Sequence, residues 1–107
     1  MNFEKLKKIA LHFGANNQIE KTKEELKELK EALEEFELYK ICPSSDLDGM
    51  LKKRKHIIEE IADVYIMLEQ IKYIFSIEEE NVKEIEICKI DRTLKRIEEK
   101  YYERAGE

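Results

Sequence analysis

The chain has no tryptophan, a single proline and only three glycines in 107 residues. So little turn chemistry argues against a loop-rich sandwich, barrel or low-complexity linker and leaves room for long uninterrupted elements. Two cysteines, Cys42 and Cys88, form no CxxC pair and are too few for a disulfide framework, so free thiols in a reducing cytoplasm are expected. No apolar run approaches the roughly 18 residues needed to span a bilayer, and MNFEKLKKIALHF has too short an apolar centre for a signal peptide. Excess positive charge is also missing. With Lys and Arg at 20 against Asp and Glu at 25, the net charge is −5, the wrong sign for a general binder of nucleic-acid polymers.

What remains is 42% hydrophobic and 42% charged residues, a balance suited to amphipathic helices with solvated outer faces. Phe3, Leu6, Ala10 and Phe13 recur at helical spacing before Gly14, a natural stop. Asn17 and Glu20 resemble a capping box opening a second helix through Ile19, Thr22, Leu26, Leu29, Leu33 and Phe36. Cys42-Pro43-Ser44-Ser45 breaks the pattern. A third helix, capped by Ser45 or Asp46 and blurred at Gly49, is firm from Ile57 through Ile61, Val64, Tyr65, Leu68 and Phe75. Ser76 with Glu79 reads as a capping box for a fourth, whose apolar side is Ile87, Ile90, Leu94, Ile97 and Tyr101. The expected fold is all-α, one domain over residues 1–107, forming an antiparallel four-helix bundle. So small a core favours assembly into a dimer or higher.

The acids are not evenly spread around these helices. At roughly 100° per residue, Glu25 and Glu28 lie about 70° and 130° to one side of a face centred between Leu29 and Leu33. Glu60 and Asp63 stand at about the same offsets, in the same sense, from a face centred near Leu68 and Phe75. Antiparallel packing of the two faces brings flanks of equal sense to one side. Glu25, Glu28, Glu60 and Asp63 are then expected in one groove. Asp63 stands out because its neighbours Ala62, Val64, Tyr65 and Ile66 imply burial on both sides. Acid is so common here that an ExxE spacing also arises by chance, and Glu25 and Glu28 alone read equally as solvated charges. Four clustered carboxylates repel unless a divalent cation intervenes, and oxygen-only donors favour Mg²⁺, with Mn²⁺ as substitute.

The pattern EELKE at 24–28 followed by EIAD at 60–63 resembles the ExxE and ExxD signature of the MazG-like all-α nucleoside triphosphate pyrophosphohydrolases. FGANNQIEKTKEELKEL and EEIADVYIMLEQI are similar to the two signature helices of the small, single-domain phage and bacterial members, and KIDRTLKRI to their closing basic segment. The resemblance implies a Mg²⁺-dependent, cytoplasmic homodimer or tetramer that cleaves a nucleoside triphosphate to monophosphate and pyrophosphate with a metal-activated water. Carried over by position, it makes Glu25, Glu28, Glu60 and Asp63 the metal ligands and catalytic carboxylates, with one of them or Glu24 helping to activate the water. Gln18 either reaches a base or sugar at the groove's end or is an ordinary polar residue near a helix start. Lys89, Arg92 and Arg96 form a stripe that is either a solvated face or, for Lys89 and Arg92, a triphosphate clamp. The run Lys52-Lys53-Arg54-Lys55 lengthens the connection beyond the family's usual spacing and reads as an exposed helix end or an added phosphate contact. His12 and His56 receive no catalytic role. A non-catalytic helical interaction module on the same bundle is the competing reading.

Overall fold

The computed structural model describes residues 2–106, and all its regular structure is helical: α1 (Phe3–Phe13), α2 (Ala15–Ile41), α3 (Leu47–Ile74) and α4 (Glu79–Ala105). No described helix is long and apolar enough to cross a membrane. The chain divides into two compact units, one ending at Phe75 and the other beginning at Ser76. The first contains α1 to α3.

Local chemistry sets the helix ends. Asn2 caps α1, its side-chain oxygen accepting from the Lys5 N–H at 3.2 Å. Gly14 then turns the chain in a single residue. At φ 87° it donates its N–H to the Ala10 carbonyl, and its own carbonyl accepts from Gln18 N–H at 3.1 Å as the first bond of α2. Because glycine makes so sharp a corner, α2 begins two residues earlier than the expected capping box. Asn17 lies inside the first turn, and its amide donates to the Phe13 carbonyl at 2.7 Å, closing the end of α1 instead of opening α2.

At the next corner Asp46 caps α3, accepting from Gly49 N–H at 2.7 Å. The Tyr39 hydroxyl donates to the same carboxylate at 3.0 Å and accepts from Asp46 N–H at 3.3 Å. This ring occupies the space beside Gly49, where a Cβ would meet the Tyr39 oxygen at 1.8 Å. Glycine in the first turn of α3 is therefore a close-approach residue. The expected Ser76 capping box does not form, since α4 starts only at Glu79 and Ser76 sits in the left-handed region at φ 54°.

Helices α2 and α3 run in opposite directions, because partners that climb α2 descend α3: Gln18 meets Gln70, Glu35 meets His56 and Lys53, and Tyr39 meets Asp46. The rotation of the pair differs from the sequence expectation. Buried on α2 are Gln18, Thr22, Glu25 and Ala32, and on α3 Glu60, Val64, Met67 and Gln70. One edge of each apolar face is left outward, with Leu26 and Leu33 47% and 45% exposed and Tyr65 and Leu68 59% and 44%, while Leu29 and Phe36 are half-buried. In α1, Leu6 and Ala10 supply the buried side, and Phe3 meets Tyr73 edge to face at 5.9 Å. The apolar row of α4 is exposed along its length.

Candidate metal centre

The packing turns one acid of each flank inward, Glu25 and Glu60, and leaves Glu28 and Asp63 exposed. Glu25 is 6% exposed and Glu60 8%. With Asp63 they form a cluster in which one oxygen from each side chain lies within 4.8 Å of the others. Asp63 itself is exposed, with exposed neighbours Ala62 and Tyr65, so the two-sided burial expected of it is not found. The acid that is enclosed is Glu60, one turn earlier.

Each buried glutamate is half satisfied. Oε1 of Glu25 lies 3.0 Å from the Lys21 ammonium, and Oε1 of Glu60 lies 3.2 Å from His56 Nε2. The second oxygen of each, Glu25 Oε2 and Glu60 Oε2, is buried and has no hydrogen-bond partner. Removing carboxylate oxygens from water without a donor is among the more costly arrangements in a protein. Two such oxygens on clustered carboxylates call for a positive ligand.

Glu28 borders this cluster without joining the close trio. The negative charge of Glu25 is the main influence that raises its carboxyl above the ordinary value, followed by partial burial, a hydrogen bond shared with Glu25 and the charge of Glu60. Lys21 is shifted upward as well, first by its hydrogen bond to Glu25 and then by that carboxylate's charge. The three oxygens suit a hard divalent ion. Ligand oxygens around Mg²⁺ stand at most about 4.2 Å apart, twice a bond of about 2.1 Å, close to the spacing within 4.8 Å found here.

One turn along α2, a cavity of about 440 Å³ opens beside the cluster. Phe13, Ile66 and Met67 give it apolar walls, Gln18 and Gln70 a polar edge, and Lys21 a charge. The two glutamines are buried and joined by a hydrogen bond from the Gln18 amide to the Gln70 side-chain carbonyl. Gln18 therefore lines this cavity. Lys89 and Arg92 lie one turn apart on α4, in the second unit, both exposed.

Three residues of this neighbourhood were passed over in the sequence. Lys21 and His56 each stand four positions before a buried glutamate, a spacing that puts them on the same helix face and is legible as such. Gln70 carries no comparable signal, because an amide among apolar residues looks like any exposed polar position until its neighbours are known. No family model, no curated protein and no solved structure matches this chain.

Proposed function

We propose that this chain is a divalent-metal-dependent nucleoside triphosphate pyrophosphohydrolase, cleaving ribo- or deoxyribonucleoside triphosphates to the monophosphate and pyrophosphate. The observation that carries this reading is the convergence of Glu25, Glu60 and Asp63 from two different helices, together with a buried, unpartnered oxygen on each of the two glutamates. Surface charge alone gives no reason to bury two like-charged groups and leave half of each unmet. A bound Mg²⁺ or Mn²⁺ supplies charge neutralisation for the triphosphate and lowers the pKa of a coordinated water. Glu25, Glu60 and Asp63 would hold it. Glu28, bordering the trio without joining it, is then placed to accept a proton from the attacking water.

The cavity fits the other end of such a substrate. Its apolar walls can receive a base or sugar, its amide pair offers both donor and acceptor, and Lys21 stands between it and the acids. Lys89 and Arg92 are proposed as phosphate-binding cations, in keeping with the resemblance of KIDRTLKRI to the basic segment of MazG-like enzymes.

Exposed apolar rows on α2, α3 and α4 support self-association into a homodimer or tetramer, since faces of this size are unusual on a solitary chain. The unpaired thiols of Cys42 and Cys88 agree with a cytoplasmic setting. The same exposed rows are what an interaction module would present. A screen of standard and modified nucleoside triphosphates with Mg²⁺, following pyrophosphate, separates the two. Pyrophosphate release that vanishes in Asp63→Asn and in Glu60→Gln supports the enzyme, and turnover undiminished in both variants rejects it.

A further inference from the structure

The two buried glutamates are held in the same way, and the pattern extends farther around Glu60. A donor side chain one helical turn earlier takes Oε1 in each case, Lys21 for Glu25 and His56 for Glu60, leaving Oε2 buried and without a hydrogen-bond partner. The imidazole is anchored on its far side too. Nδ1 of His56 lies 3.5 Å from Glu35 Oε2 on α2, and Lys53 approaches the same Glu35 oxygen at 3.8 Å. A ring held from both helices has few orientations open to it. Its Nε2 meets Glu60, while the trio of ligand oxygens comes from Glu25, Glu60 and Asp63.

We propose that His56 is a positioning residue of the metal centre: braced across the hairpin by Glu35, its ring pins one oxygen of Glu60 so that the other is presented to a divalent cation. This rests on the metal-centre reading above and assigns a role to a residue that lies outside the carboxylate motif. A glutamate has three side-chain torsions, and an unrestrained one must be ordered when the ion arrives. Holding Oε1 beforehand removes that requirement, the same effect by which outer-shell partners support ligands in other metal sites. Donating to Glu60 and to Glu35 together uses both ring N–H groups.

Manganese binding to the nucleotide-free protein, followed by electron paramagnetic resonance, tests the idea without reference to turnover. His56→Leu and His56→Gln both lack the ring and any charge, so they alter the local electrostatics equally, but the glutamine keeps an N–H donor. We expect His56→Leu to weaken Mn²⁺ binding about 10- to 100-fold and His56→Gln to recover most of the loss. Glu35→Leu, which loosens the brace, is expected to weaken it to a smaller extent, and this variant carries the test if His56→Leu does not fold. Equal or tighter binding in His56→Leu, or equal losses in the leucine and glutamine variants, overturns the role of His56 while leaving the centre in place. Absence of Mn²⁺ binding in the wild type overturns the centre itself and the inference with it.

Discussion

Replacing Glu60 by glutamine changes one charge and almost no volume, and the geometry sets the sign of its effect. Glu60 faces Glu25 and Asp63 with ligand oxygens no more than 4.8 Å apart. At that spacing a like-charge pair costs about 3.5 kcal/mol at an effective dielectric of about 20 and about 0.9 kcal/mol in water. Asp63 is exposed, so its share falls near the aqueous figure, and losing charge opposite His56 offsets part of the relief. The net is a gain of about 1–2 kcal/mol in the metal-free protein, read as a rise in Tm of about 4–8 °C per kcal/mol in a chain of this size. The new amide can also donate toward the orphaned Glu25 oxygen. With Mn²⁺ at about a hundred times its dissociation constant, the wild type gains about 2.7 kcal/mol, and Glu60→Gln gains little. Thermal melts with and without Mn²⁺ should therefore cross, the variant being more stable bare and the wild type more stable when loaded. A bare variant less stable than wild type by more than about 1 kcal/mol, with an unchanged response to Mn²⁺, would refute the reasoning, because Glu60 would then be satisfied from within the protein.

Three further outcomes follow from other parts of the structure. Gly49→Ala should destabilise the wild type despite the better helix propensity of alanine, because the Tyr39 ring must leave its place; in a Tyr39→Ala background the same change should stabilise by about 0.5–1 kcal/mol, and chemical denaturation reads the reversal of sign. Asp46 is held below its ordinary value of 3.8, first by the Gly49 N–H and then by the Tyr39 hydroxyl. The unfolded chain thus takes up that proton more readily, and the stabilisation is complete above the ordinary value and lost as pH falls through the lower folded value. Asp46→Ala should flatten this part of the acid limb, so that wild-type and variant stabilities converge at low pH. Gln70→Leu strands the buried Gln18 amide and should cost about 1–3 kcal/mol, with normal stability in urea as the contradicting result.

The sequence was informative about elements and less so about their rotation. Helical spacing and Gly14 located α1, and Pro43 located the corner before Asp46, because these signals act within a few residues. The helix starts expected at Asn17 and Ser76 lie elsewhere for the same local reason: a glycine at φ 87° and a left-handed serine relocate them, and neither dihedral is visible in a spacing pattern. Periodicity also showed which faces of α2 and α3 are apolar, and the natural inference was that these faces meet each other. Instead, the pair meets through Thr22, Glu25 and Ala32 on one side and Glu60, Val64 and Met67 on the other. A hydrophobic face declares that it needs cover, but not whether its own chain or another supplies it. Glu25, Glu60 and Asp63 came together as the shared flank suggested, while the burial assigned to Asp63 belongs to Glu60.

The most direct test of the central claim is an anomalous-scattering map from crystals soaked in Mn²⁺. The account predicts a peak bound at about 2.0–2.3 Å by oxygens of Glu25, Glu60 and Asp63. Manganese located only elsewhere, or a hairpin with the two orphaned oxygens paired to protein donors and no ion between them, would contradict it.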